Sequence, residues 1–119
     1  MANGAVIFTW GAPVRGREMK GLEVFGKALA FWDEKAKEGR IHGHREYFSL
    51  TGNATQQVGT MVVEGELGEL LRIQTEDESM RIQTEAGQIC ENFTVQICEA
   101  NSEDAINRYV GTLQAMGLT

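Results

Sequence analysis

The stretch Ala5-Val-Ile-Phe-Thr-Trp10 decides the fold of this chain. It is a short run of β-branched and aromatic residues between Gly4 and Gly11, and such a run is typical of a strand. Apart from Thr9 the run is apolar on both faces, which is the pattern of a strand covered on both sides. We therefore predict a sheet with this strand in its interior.

A long helix is predicted after a loop over residues 11–18. The helical spacing runs from Met19 to Glu38, and Gly39 stands where a left-handed residue commonly ends a helix. The residues predicted to form one buried stripe are Leu22, Phe25, Leu29, Trp32 and Ala36. Val24 and Phe31 lie about 180–200° around the helix from Leu22. That position predicts a second contact, with a partner subunit or with the C-terminal helix.

Two further strands are predicted in the middle of the chain. His44 to Thr51 alternates, with Phe48 and Leu50 pointing to one face and the residues between them to the other. Residues 52–57 are polar and form a hairpin-type connection. Val58 to Gly65 is the predicted return strand.

The region from Glu66 to Ile89 has helical character with a start signal in its middle. Thr75-Glu-Asp-Glu78 has the Ser/Thr-x-x-Glu form of a capping box. We therefore predict one helix that ends near Gln74 and a second that begins near Glu76.

The last strand and a last helix complete the pattern. Residues 93–99 alternate strictly, with Phe93, Val95 and Ile97 predicted to face inward. Asn101-Ser102 is predicted to cap a terminal helix that ends at Gly117.

The resulting order, β-α-β-β-α-β with one added helix, predicts the α+β class. Two β-α-β halves of this kind form a ferredoxin-like domain, here over residues 1–119, in which helices cover one face of a four-stranded antiparallel sheet. The other face is left bare, and in this sequence it is partly apolar. Such a face needs a cover, so a homodimer formed through the sheet face is expected.

Composition excludes several classes of function. The 119 residues carry 17 Asp and Glu against 11 Lys and Arg, and a net charge of −6 argues against binding to a nucleic-acid backbone. No apolar run approaches the roughly 20 residues of a membrane span, and the N-terminus lacks the features of a signal peptide. Cys90 and Cys98 are too few for a disulfide-stapled module, so a cytoplasmic protein with two buried, inert thiols is expected.

The chain resembles the dimeric α/β-barrel superfamily in its order of elements. The segments TWGAPVRGRE (9–18), EGRIHGHREYF (38–48) and ENFTVQI (91–97) are also similar to an uncharacterised bacterial branch of small proteins. The resemblance implies two subunits packed sheet against sheet, with a cavity between sheet and helices. The superfamily includes cofactor-independent monooxygenases, haem-associated enzymes, isomerases and regulatory ligand-binding modules, and membership selects none of them.

The sharpest motif is His42-Gly-His44-Arg-Glu46, which places two imidazoles and a carboxylate on one strand face. These are the ligand types of an open metal site, and His44 is also a candidate for proton transfer. The alternative is a structural role at the edge of the sheet. A straight strand spreads three such side chains over about 13 Å, so no metal site is predicted, and a chelator is expected to leave the melting temperature unchanged.

Two other sets of side chains are candidates for ligand contacts. Arg15 and Arg17 lie in the loop that leads into the first helix, where guanidinium groups and free helix N–H groups can hold an anion. The alternative is a local surface ion pair of Arg17 with Glu18. Trp10 and Tyr47 could line the open sheet face and contact a planar ligand, or pack in a dimer interface.

Together these features predict a small-molecule pocket between sheet and helices, without a tightly held cofactor. In an enzymatic version His44 would move protons while Arg15 and Arg17 hold an anionic or enolic group. The ligand would then be anionic or aromatic, with Trp10 and Tyr47 in contact with it. The competing hypothesis is a non-catalytic dimeric interaction or regulatory module.

Overall fold

The computed structural model describes residues 2–52, 56–100 and 102–118, with only the backbone at residue 102. The strands are β1 (Gly4–Trp10), β2 (Gly43–Phe48), β3 (Gly59–Gly65) and β4 (Thr94–Glu99). The helices are α1 (Glu18–Lys37), α2 (Leu67–Gln74), α3 (Asp77–Ile89) and α4 (Ser102–Ala115). The predicted order of elements is confirmed. Two predicted details, the 52–57 connection and the cap at Asn101, lie partly or wholly outside the described residues.

The four strands form one antiparallel sheet in the order β2-β3-β1-β4. This is a ferredoxin-like arrangement, and β1 lies in its interior as its apolar sequence predicts. The helical face is built by alternate residues of the two central strands, among them Val6, Phe8, Met61 and Val63. Leu70 and Ile73 of α2 complete the core, and both are fully buried.

The buried face of α1 agrees in part with the predicted stripe. Trp32 is buried and Phe25, Leu29 and Ala36 pack against the core, whereas Leu22 is 65% exposed. Three further residues are buried, namely Val24, Phe31 and Lys35. At 100° per residue Phe31 and Lys35 each fall about 20° from Val24, on opposite sides of it, so Val24 and Phe31 belong to the main contact surface and not to a second one. The hydrophobic pattern did not predict this face because it contains the charged Lys35, which can bury its aliphatic stem. The ammonium group of Lys35 lies 4.9 Å from the centre of the Phe31 ring.

The break between α2 and α3 is confirmed, but the capping box is not formed. Glu76 occupies the N-cap of α3 without a side-chain cap bond. The Thr75 hydroxyl instead donates to the carbonyl of Arg72 at 3.1 Å and so caps the end of α2. Gly39, with φ of +75°, ends α1 in the predicted left-handed conformation.

The second face of the sheet carries no described helix. Residues paired directly across antiparallel strands project to the same side, so the register places Tyr47, Thr60 and Thr9 in one row and Arg45, Val62 and Ile7 in the next. No helix among the described residues is long and apolar enough to cross a membrane.

Candidate functional site

A cleft of about 600 Å³, including the part open to solvent, lies between the helical face of the sheet and the pair α1 and α3. Aromatic rings dominate its walls, because both tryptophans and four of the five phenylalanines of the chain line it. These six residues are Phe8, Trp10, Phe25, Phe31, Trp32 and Phe93. Concave, mostly apolar sites are where proteins usually bind small molecules.

The rings form two groups inside the cleft. Trp32 lies edge-on to Phe31 with ring centres 5.0 Å apart, and its ring centre is 6.1 Å from that of Phe8. In the second group, Trp10 at the end of β1 packs on Phe25, with ring centres 5.7 Å apart. Edge-to-face and tilted packing of this kind is favourable, and it leaves part of each ring facing the cavity.

Local structure explains why these rings converge. Phe8 and Trp10 are two residues apart in β1, so they project to the same, helical, face. Phe25 and Trp32 are seven residues apart in α1 and share one flank of that helix. The predicted shared location of Trp10 and Tyr47 on the open face is wrong for Trp10, which packs against α1.

One edge of the cleft is closed by two extended segments. The backbone of Val14 donates to the carbonyl of Ile89 at 2.6 Å, and Gly11 donates to Glu91 at 2.6 Å. Pro13 and Cys90 form an isolated antiparallel bridge between these bonds. Cys90 thereby faces the cleft as a free thiol, and burial raises its pKa.

A small polar group forms part of the α3 wall. Ser79 and Gln83 both line the cleft, and the amide nitrogen of Gln83 donates to the Ser79 hydroxyl oxygen at 2.8 Å. Behind them, the amide nitrogen of Gln74 donates to the Gln83 side-chain oxygen at 3.0 Å. Ser79 is only 3% exposed. The otherwise apolar cleft therefore has one polar region, built on a chain of hydrogen bonds.

His44 lies on the helical face near α1 and is not among the residues that line the cleft. Its Nε2 is 2.6 Å from a carboxylate oxygen of Asp33, and its Nδ1 bonds to Glu46. Burial lowers the pKa of His44, but hydrogen bonds to the two carboxylates raise it by more, so the net shift is upward. Both ring nitrogens are thus engaged, and the bond to Asp33 joins β2 to α1.

His42 is exposed and precedes β2. Within the part of the chain that the structure describes, no group of three or more His, Cys, Asp or Glu side chains could hold a metal ion. The absence of a bound metal stays a prediction, which elemental analysis tests.

The other predicted ligand-contacting residues lie apart from the cleft lining. Arg15 and Arg17 are exposed in the loop before α1, and Arg17 reaches the carbonyl of Gln88 at 3.5 Å. Tyr47 is exposed on the open face of the sheet. Of the residues predicted for ligand contact, the structure places Trp10 alone in the wall of the cleft.

An ionic cluster that the sequence analysis did not predict lies at the C-terminal end of α1. Arg40 donates to Glu69 at 2.6 Å and to Glu76 at 2.6 Å. Its hydrogen bonds lower the pKa of both glutamates and raise that of the guanidinium group. Lys35 adds a contact to Glu76 at 3.6 Å. The cluster ties the turn after α1 to α2 and to the start of α3.

Sequence reasoning missed the α3 side of the cleft. Ser79, Gln83 and Cys90 carry no recognisable motif, and their contribution depends on how α3 packs against α1. The aromatic residues Phe25, Phe31 and Trp32 of α1 are visible in the sequence, but their pattern is the same for a filled core and for a cavity wall.

The comparisons with known proteins support the fold. No protein-family model and no curated protein matches the chain. A dimeric protein of unknown function and ferredoxin-like fold from Bacteroides fragilis superposes with a TM-score of 0.59 at 13% identity, covering 82% of this chain and 95% of that one. A conserved protein from Methanosarcina mazei gives 0.62 at 13% identity, covering 84% and 95%.

A third similar structure is a conserved protein of unknown function from Bacteroides thetaiotaomicron, described as a possible oxidoreductase. It gives a TM-score of 0.60 at 11% identity, covering 84% of this chain and 100% of that one. At these identities the likeness shows the ferredoxin-like fold. The bacterial branch stays a prediction, since one neighbour comes from an archaeon.

Proposed function

We propose that this protein binds a small, flat and largely apolar molecule in the cleft between its sheet and its helices, and that it does so as a homodimer. The observation that carries the binding proposal is the concentration of six aromatic rings around one cavity. Ring faces that are not packed against other rings gain most from a ligand that is itself planar and apolar.

The chemistry of the walls narrows the hypotheses that the sequence left open. Arg15 and Arg17 are not in the cleft lining, so of the anionic and aromatic ligands predicted, an aromatic one fits the cavity better. His44, predicted as the proton-transfer residue, also lies outside the lining and bonds through both nitrogens. The proposal is therefore for binding, and it assigns no reaction.

Both tryptophans of the chain line the cleft, which gives a direct test. Titration with p-xylene, excited at the red edge of the indole band where the probe does not absorb, should change the tryptophan emission in a saturable way. The same titration should raise the melting temperature, because a ligand of the native state stabilises it. No saturable change with p-xylene or with p-cresol would refute the proposal.

A matched pair of variants in α1 locates the binding. Ala28 lines the cleft, whereas Ala30 is exposed on the same helix. We expect Ala28→Leu to fill part of the cavity and weaken the emission change. Ala30→Leu should leave the titration as in the wild type. Equal effects of the two substitutions would place the probe elsewhere on the protein.

The homodimer proposal rests on the open face of the sheet. Ile7 and Val62 are paired neighbours on that face and are only half-buried in the single chain. The dimeric protein from Bacteroides fragilis has the same fold. Light scattering should give about twice the chain mass of 13.2 kDa. Ile7→Lys should lower the mass to that of one chain, whereas Val14→Lys, in an exposed loop, should not.

The terminal helix favours the second candidate function, an interaction module. Ile106, Tyr109 and Val110 form an exposed apolar stripe on α4, and Met116, just after the helix, is exposed as well. The radius of gyration of 16.1 Å exceeds the roughly 13–14 Å of a compact chain of this length. A helix of 14 residues is marginal in water without packing. If α4 joins the dimer interface, Val110→Glu should also lower the mass in light scattering. A mass unchanged by Val110→Glu would separate α4 from that interface.

A further inference from the structure

The polar group in the α3 wall is incompletely satisfied. The Ser79 oxygen accepts a hydrogen bond from the Gln83 amide, so its own proton remains available for donation. No hydrogen bond donated by that hydroxyl is formed with any described residue, although a serine in a helix often donates to the carbonyl one turn back. A donor that is 97% hidden from solvent is thus left facing the cleft.

A second gap lies in the same chain of hydrogen bonds. The Gln74 side-chain oxygen is buried and has no partner, the one such atom among the described side chains. The amide nitrogen of Gln74 is committed to Gln83, and that of Gln83 to Ser79 and nearby carbonyls. Buried polar groups in proteins are almost always paired. The network therefore has an unused donor in the cleft wall and an unused acceptor behind it.

We propose that Ser79, oriented by Gln83, selects ligands that join an aromatic body to one oxygen able to accept a hydrogen bond, such as a phenol or an aryl ketone. This inference rests on the proposed function, since it assigns the polar specificity of the same cleft. The rings hold the apolar body of the ligand, and the Ser79 hydroxyl bonds to the oxygen. A ligand with a methyl group in place of that oxygen leaves the donor unpaired, which is the costly case.

A pair of probes of equal shape tests the assignment. p-Cresol and p-xylene differ by a hydroxyl in place of a methyl group, and their dissociation constants are measured by tryptophan emission as above. We expect wild-type protein to bind p-cresol about tenfold more tightly. Ser79→Ala should abolish or reverse that preference, because the phenol oxygen is then buried without a donor, and Gln83→Leu should reduce it partly. Thr84→Ala, exposed on the same helix, should keep the full ratio.

The ratio of the two constants separates specificity from stability, because a general loss of packing weakens both probes alike. Equal binding of both probes to wild-type protein would overturn the inference while leaving the cleft proposal intact. The same holds if Ser79→Ala keeps the preference for p-cresol, since another group or a bound water would then pair with the oxygen. Failure of both probes to bind refutes the proposed function instead.

Discussion

A single methyl group at Gly59 should disturb the fold and the cleft together. Gly59 pairs with Trp10 across the sheet, and a Cβ built on it would lie 2.6 Å from indole Cε2 and closer still to Cζ2. Carbon atoms pack at about 3.5–4.0 Å, so the ring must retreat by about 1 Å. Phe25 and Phe48, with ring centres at 5.7 and 6.3 Å, restrict that movement.

The magnitude follows from two opposing contributions to the free energy of unfolding. Forcing an extra carbon into a packed site costs about 1–3 kcal/mol, while replacing glycine in a strand returns about 0.5–1 kcal/mol. The difference centres on about 1 kcal/mol, so we expect Gly59→Ala to be destabilised by about 1 kcal/mol in urea unfolding. The emission maximum of Trp10, isolated in a Trp32→Phe background, should shift because the indole changes its surroundings.

Gly26 is the matched control. It lies in α1, is exposed, and has open space where a Cβ would stand. Gly26→Ala should stabilise the protein by about 0.5–1 kcal/mol through helix propensity. If Gly59→Ala proves as stable as Gly26→Ala and leaves the Trp10 emission unchanged, the indole does not lie across Gly59 and the description of this cleft wall is wrong.

Three other predictions concern stability. Because the protonated His44 is favoured in the folded state, its contribution to the free energy of unfolding should be complete below pH 6.5 and lost as the pH rises through its higher folded pKa. His44→Gln should flatten that part of the pH dependence of stability, measured by urea unfolding. Arg40 lowers the pKa of its two glutamate partners, so their contribution to the free energy of unfolding should be present above pH 4.5 and lost as the pH falls through their lowered pKa values. Arg40→Gln should remove this acid dependence. Leu70→Ala should cost about 2–5 kcal/mol in the same assay, whereas Leu71→Ala, on the exposed side of α2, should cost under about 1 kcal/mol; similar losses would contradict the assigned core.

The elements of the fold were predictable because the strongest local signals agree with the tertiary structure. The run at Ala5–Trp10 predicted an interior strand, and Gly39 predicted the end of α1. It was harder to predict which face of each strand or helix is buried. In a strand apolar on both faces the alternation does not say which face meets the helices, and this is why Trp10 was assigned to the wrong side. In α1 the buried face includes Lys35, a residue that hydrophobic patterns treat as exposed.

The position of the cleft could be predicted from the sequence, but the residues that line it could not. The order of elements implies space between sheet and helices, yet Phe25 and Trp32 have the same sequence signature whether they fill a core or line a cavity. Ser79 and Gln83 are ordinary polar residues of a helix until the packing of α3 brings them to the wall. The motif around His44 was conspicuous in the sequence because histidine is rare here, and the structure uses it to join α1 to β2.

The two ends of the helical layer are held by different kinds of force, and this has a consequence for motion. Near the end of α1, Asp33, Lys35 and the neighbouring Arg40 form directional ion pairs with β2, α2 and α3. Around the first half of α1 the contact to the sheet is ring packing, as between Phe25 and Trp10. Ion pairs thus hold the end of α1, and ring packing dominates near its start, so we expect local opening of the helical layer, measured by amide hydrogen exchange, to be easier beside the aromatic cleft.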